Sequence, residues 1–279
     1  GLYLVVLEPE GETWKEDETD YLAAVVKQIN ARPYFSSFNS YFFAIAYGDA
    51  AGPMGRYSRR YPKSFAGTAL FGTKGMSAEE KVSLEATPSP VKGVLISEIQ
   101  LPLWAVAEEK AEAVIRLLDY YKAADHSQPD PVSTDWADEV YMPDPNGSGS
   151  MDEDYCAKVA LTVESWRDYV NKAASRIFYL NYILGYGRYP GNANAFLRYD
   201  GPMAERGFRL YSEMVPGGFK DDGSDLYQRL WWVYTPDTVD PQEKVPAVIA
   251  FHGAGGFGIE MADRSGWARV ARKHGFILI

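Results

Sequence analysis

Two rhythms of apolar and polar residues alternate along the chain. Short continuous apolar runs bounded by glycine or proline recur as YLVVLEP, YFFAIAYG, FAGTALFGT and LPLWAVA, and such runs predict buried strands. Between them lie segments with apolar residues at helical spacing. In DETDYLAAVVKQINARP the face is Leu22, Val25, Val26 and Ile29, with Thr19 or Asp20 as the predicted N-cap and Pro33 as the stop. AAGPMGRYSRRYPKSF predicts a helix beginning directly after a small-residue turn, with Pro53 and Gly55 confined to its start. SAEEKVSL predicts a short helix. EEKAEAVIRLLDYYKAAD predicts a long one, with an acidic beginning and an apolar face of Val114, Leu117, Leu118 and Tyr121.

From residue 125 to 154 the composition shifts to Pro, Ser, Asp and Gly, which predicts loop or hairpin. AKVALTVES follows as a strand, and SWRDYVNKAASRIFYLNYILGYGRYPG as one helix ending at its glycines. GFRLYSEMV and LYQRLWWVYTP predict an antiparallel pair. VPAVIAFHGAGGFG is a strand running into a glycine loop, GWARVARKHG a helix and FILI a final strand. Strands alternating with helices predict an α/β fold of three layers, a mostly parallel sheet with helices on both faces.

Composition narrows the partners. The 279 residues are 46% apolar and 24% charged, with Lys+Arg 28 against Asp+Glu 38, a net charge of −10. That balance repels phosphate backbones and anionic headgroups, so nucleic acid and membrane are not the expected partners. The densest basic cluster, Arg56, Arg59, Arg60 and Lys63, has helical spacing and predicts a solvated helix face. A single cysteine, Cys156, excludes an internal disulfide, and with only three histidines a Cys/His zinc site is not expected. The first residues show no basic leader followed by a cleavage site, and no apolar run approaches about 18 residues. The chain opens inside an apparent strand without Met, which suggests a trimmed chain and leaves the compartment open.

The loop HGAGGFG admits two chemical readings. Gly253, Gly255 and Gly258 match a dinucleotide fingerprint formally, but Ser265-Gly266 interrupts the helix that fingerprint needs, and the acidic ribose partner expected after the next strand would lie beyond Ile279, which leaves the signal incomplete. The favoured reading is an oxyanion-hole loop formed by His252, Gly253, Ala254, Gly255 and Gly256. Glycines there let backbone N–H groups approach a developing oxyanion. The structural alternative is a glycine loop without chemistry.

VYTP, VPAVIAFHGAGG and SGWARVARKHGFILI together resemble the N-terminal half of the polyhydroxybutyrate-depolymerase and feruloyl-esterase branch of the α/β-hydrolases, over residues 208 to 279. The front of the chain is similar to the other half of that fold. LVVLEPEGETW, YFFAIAYGDAAG, RRYPKSFAGTALFG and LPLWAVAEEKAEAVIRLLDYYKAAD resemble the strands and helices from the nucleophile elbow onward. The order is thus a second half followed by a first half. A tandem duplication is preferred over a circular permutation, in which FILI and YLVVLEP would compete for one strand position. Residues 1 to 200 are then a degenerate hydrolase-like portion, and residues 201 to 279 the opening segment of a depolymerase- or esterase-like domain.

The resemblance places Ala50 at the nucleophile position, between Gly48 and Gly52, and alanine cannot attack a carbonyl. At the family's acid position stand Glu108 and Glu109, better explained as helix N-terminal charges, and the nearest candidate base, His126, ends a helix. His252 belongs to the glycine loop and His274 ends another helix. The front portion is therefore expected to be non-catalytic. DPNGSGSMDEDY sets Asp144, Asn146, Ser148 and Asp152 at calcium-loop spacing, but Tyr155 replaces the bidentate glutamate. A solvated acidic turn is the better reading, and no cofactor other than this calcium candidate is expected. Of the adjacent Trp231 and Trp232, one should face in and one out.

What the resemblance implies is a carboxylic ester hydrolase acting through an acyl-serine, with the nucleophile not present in this chain. Its partners would be an ester or polyester substrate and a complementary hydrolase segment or second chain. The alternative is a non-catalytic module that binds or scaffolds.

Overall fold

The computed structural model describes residues 4–31, 42–90, 93–143, 157–170, 174–183, 186, 207–217, 224–240, 242–253 and 266–279. The chain forms two compact units, Gly1–Leu197 and Arg198–Ile279. The first contains α1 (Thr19–Asn30), β1 (Phe43–Tyr47), α2 (Ala51–Arg60), β2 (Gly67–Phe71), α3 (Ala78–Glu85), β3 (Leu103–Ala107), α4 (Glu112–Ala124), β4 (Glu139–Tyr141), β5 (Val159–Val163), α5 (Trp166–Val170) and α6 (Ala174–Phe178).

Its sheet has the order β1-β2-β3-β5-β4, with the first four strands parallel and β4 antiparallel to β5. β2 and β3 are buried at every position, as central strands covered on both faces must be. Successive side chains feed opposite layers. Leu70, Leu103, Ala105 and Leu161 pack with Tyr57, Leu117 and Tyr121 of α2 and α4 on one face. Ala69, Phe71, Trp104 and Ala160 pack with Tyr169, Phe178 and Tyr182 on the other. The α/β class with a mostly parallel sheet is as the sequence predicts.

The second face is held by aromatic rings with polar tips. Trp104 Nε1 donates to Thr162 Oγ1 at 3.1 Å, Tyr182 Oη donates to the Leu103 carbonyl at 2.9 Å, and the Lys158 amide donates to Tyr186 Oη at 2.9 Å. Around Trp104 lie Phe71 at 5.0 Å, Trp136 at 5.2 Å and Tyr169 at 5.4 Å between ring centroids.

Several elements differ from the sequence reading. Residues 4–9 of YLVVLEP form no strand, and Leu4 and Val6 are exposed; among the described residues no neighbouring strand offers them a ladder. The N-cap position of α1 is Glu18, ahead of the predicted Thr19 or Asp20, and its side chain makes no capping bond. In the stretch predicted as one helix after β5, the described residues form α5, α6 and, continuing α6, a turn at Tyr179–Ile183 that is π-helical instead of α-helical; residues 171–173 lie outside the described residues. Arg59 is not on a solvated face: it is 3% exposed, and its Nε and Nη2 both bind Glu80 Oε1 at 2.8 and 2.7 Å. Gly55 makes room, since a Cβ there would lie 3.0 Å from Arg59 Nη1. Arg56 does lie outward, in an exposed pair with Glu16 at 2.9 Å.

The second unit contains β6 (Phe208–Pro216), β7 (Leu226–Tyr234), β8 (Ala247–Val248), α7 (Trp267–His274) and β9 (Ile277–Leu278), in the sheet order β6-β7-β9-β8. β6 and β7 are antiparallel, β8 and β9 parallel. α7 ends at Gly275, whose left-handed φ of 67° turns the chain into β9. Its small core joins Phe208, Tyr234, Ala268, Ala271, Phe276 and Leu278.

Two stability predictions follow from the packing. Gly75 has φ +87°, and a Cβ there would sit 2.2 Å from the Ala113 carbonyl at the start of α4. Gly75→Ala should cost at least about 2 kcal/mol in urea unfolding, beyond the range of an ordinary surface change. Burial pushes the phenols of Tyr57, Tyr120 and Tyr121 up, and that of Tyr169 up to about 12. A folded-state value above the unfolded value of about 10 gives stability that is complete below that pH and is lost as pH rises through the folded value. The urea midpoint followed by circular dichroism should therefore fall between about pH 10 and 12; an unchanged midpoint would contradict it.

Candidate functional site

In open α/β sheets the place for chemistry is the crevice outside the carboxyl ends of the parallel strands. In the first unit β1 ends at Tyr47 in extended conformation and passes through a single 3-10 turn, Gly48–Ala50, into α2. An esterase exposes its nucleophile at the sharp, strained point of such a turn. Here the left-handed residue is Gly48, φ +57°. Ala50, expected at the nucleophile position, is already right-handed at φ −68°, ψ −21°, and its side chain packs against the α2 side of the core. Neither has a side-chain oxygen. Gly52 is small for a separate reason: a Cβ there would meet Glu16 Oε1 at 2.5 Å.

The crevice itself is occupied by Trp166, which begins α5 just beyond the end of β5. Its Cζ2 lies 3.0 Å from where a Cβ on Gly48 would be, and its Cδ1 lies 2.7 Å from where one on Gly72 would be. Gly48 follows β1 and Gly72, φ +88°, follows β2, so the indole lies across the ends of both strands. Tyr47 is 6.4 Å from the indole between centroids, and the Arg167 guanidinium stands 4.5 Å over it. Such a ring is an apolar filler with a cation on its face.

The other proposed triad positions do not converge here. Glu108 and Glu109 are exposed beyond β3, ahead of α4 rather than within it. The next residue, Lys110, pairs with Glu139. Burial opposes ionisation of Glu139, but hydrogen bonds from Lys110 and Tyr141 hold its carboxyl below the usual range. α4 runs back along the sheet from Ala113, which meets Gly75 beyond β2, to Asp125, which accepts the Leu101 amide at 2.8 Å ahead of β3. His126 is thereby at the opposite end of the strands from Gly48. The strand beside β3 is β5, and Glu164, Ser165 and Trp166 follow it, with no histidine among them.

In the second unit β8 is short, and the Ala250 amide bonds the Ile279 carbonyl at 2.8 Å. His252 and Gly253 lie just beyond, exposed, with His252 Nδ1 2.9 Å from the Gly253 carbonyl oxygen. Ala254, Gly255 and Gly256 lie outside the described residues, as do Asp144, Asn146, Ser148 and Asp152 of the calcium candidate. The next described helix, α7, starts at Trp267, and residues 254–265, where a dinucleotide site would need its helix N-terminus, lie outside the described residues. Trp232 packs on the small core while Trp231 stacks on Tyr211 at 5.9 Å. Among the described residues no group of three His, Cys, Asp or Glu could hold a metal, and no helix is long and apolar enough to cross a membrane.

The chain matches no family model, no curated protein and no solved structure. Its fold defines a mixed α/β protein with a largely parallel five-strand sheet and a separate, mostly antiparallel sheet. Sequence reasoning missed Trp166. The available signal was a glycine directly after two successive strands, FAIAY-G and GTALF-G, which leaves a gap that some large side chain must fill.

Gly72→Ala should destabilise by about 1–3 kcal/mol in urea unfolding, through collision with the indole and a forced left-handed alanine. In a Trp166→Ala background the collision vanishes, so the double-mutant cycle should show coupling of at least about 0.5 kcal/mol. Additive costs would place the indole elsewhere.

Proposed function

We propose that the first unit is a non-catalytic relative of the α/β-hydrolases that binds or scaffolds, and that the ester-hydrolase chemistry implied by the second unit's glycine loop requires a serine supplied from elsewhere. One observation carries this reading: Trp166 lies over the turn where a nucleophile would stand, against a glycine. A substrate carbonyl needs that space within about 3–3.5 Å of the attacking atom. The loop from His252 to Gly256 remains the feature that favours the second reading, an ester or polyester hydrolase acting through an acyl-serine with that loop as oxyanion hole. A complementary hydrolase segment or second chain would then provide nucleophile, acid and base.

The chain should give no turnover of p-nitrophenyl acetate or butyrate above buffer and no labelling by a fluorophosphonate. Ala50→Ser should be equally inert, because its hydroxyl would sit on a right-handed residue at a helix start. Phosphonate-sensitive turnover, with the label mapped to a serine of residues 1–200, would overturn the non-catalytic reading.

A further inference from the structure

The β6–β7 hairpin is nine residues long on each strand, and its pairing is fully registered from Phe208↔Tyr234 to Pro216↔Leu226. Only its base reaches the small core, through Phe208, Trp232 and Tyr234. Further out, one face carries Leu210, Met214, Leu226 and Leu230, exposed by 51, 55, 54 and 57%. All four are at even positions, so they share one side of the ribbon. Contiguous exposed apolar surface of this kind marks an interaction site.

β6 is also an edge: among the described residues it is bonded to β7 alone. Which of its groups face outward follows from the ladder. The Gly217 amide bonds the carbonyl of Asp225, the residue opposite it. Directly opposed residues alternate between hydrogen-bonded and non-hydrogen-bonded pairs. Residues 209, 211, 213 and 215 therefore bond β7, and Leu210, Ser212 and Met214 turn their N–H and C=O groups to the open side. Pro216, with no N–H to give, ends that row at its far end.

Charge selects the occupant of this edge. Arg209 and Glu213 flank Tyr211 symmetrically on the face opposite the apolar one, and Glu213 lies across from Arg229 of β7. We propose that β6 pairs antiparallel with β6 of a second copy of this chain, about a two-fold axis through Tyr211. In that register Arg209 stands opposite the partner's Glu213, and Glu213 opposite the partner's Arg209. Each half carries an alternating row Arg229, Glu213, the partner's Arg209. Leu210 and the partner's Ser212 exchange backbone hydrogen bonds, which uses the outward groups identified above. Shifting the axis to residue 210 or 212 keeps the backbone parity but loses both charge pairs. The same face that bears the apolar stripe continues across the seam, bringing Leu210 and Met214 of the two copies together. The contact is isologous and closes as a dimer.

Sedimentation of the full chain at about 1–100 μM and physiological salt should show a monomer–dimer equilibrium in the micromolar range typical of a small interface. Glu213→Arg sets two like-charge pairs across the seam and should weaken the dimer about tenfold or more. Arg209→Glu combined with Glu213→Arg restores both pairs and should recover most of that loss. Ser212→Pro removes an outward N–H that β7 does not use and should abolish the dimer while leaving the urea midpoint within the range of a surface change. Amides of Leu210, Ser212 and Met214 should exchange faster on dilution. A chain monomeric at 100 μM would overturn the proposal. So would a dimer indifferent to both Glu213→Arg and Ser212→Pro, failure of the charge swap to rescue, or the same amides protected in dilute monomer, which would put another segment of the chain on the edge.

Discussion

Closure of β2 and β3 on both faces is the constraint on which the first unit depends. With every residue of Gly67–Phe71 and Leu103–Ala107 out of water, each backbone group must find its partner in a neighbouring strand. Parallel neighbours in turn require crossovers long enough to return the chain to the same end of the sheet. α2 and α4 serve as such crossovers and bury Tyr57, Leu117 and Tyr121 against one face. The opposite face is closed mainly by residues that come after β5, joined by Trp136 from before it, and it is closed largely with aromatic rings. The tyrosines and tryptophans among them each contribute a large apolar area together with a polar tip. Tyr182 and Tyr186 spend theirs on the Leu103 carbonyl and the Lys158 amide, groups next to strand ends where regular pairing stops.

Trp166 extends this aromatic closure to the crest of the sheet. The residues after the first two strands are glycines with left-handed backbones, and the indole fits only because neither has a Cβ. The position at which an open α/β sheet usually receives a ligand is spent here on packing. That is the physical content of the non-catalytic reading of this unit: a reaction site must keep room for a substrate, whereas this crevice is filled by the chain that crosses it.

The second unit has a different balance. Its described core is one helix face against the base of a hairpin, and the hairpin runs on beyond it with apolar side chains in water. A two-stranded ribbon is marginal alone in water. The outer half of β6–β7 therefore gains from any partner that continues the sheet, and the charges on β6 set which register such a partner can take.

The sequence by itself determined the elements whose burial is written locally. GTALF and LWAVA are apolar throughout and became the central strands, the spaced face of residues 112–124 became α4, and GFRLYSEMV with LYQRLWWVY became the hairpin. It misled where local pattern had no neighbour to act on. YLVVLEP has strand composition and no ladder, and Arg59 has the spacing of a solvated face yet lies buried on Glu80 because Gly55 lets it fold down. Only the tertiary structure decided that β5 lies beside β3, that Trp166 therefore reaches Gly48 and Gly72, and that His126 lies at the far end of the strands. Periodicity records which side chains avoid water; which of them meet depends on strand order, a property of residues far apart along the chain that no local window contains.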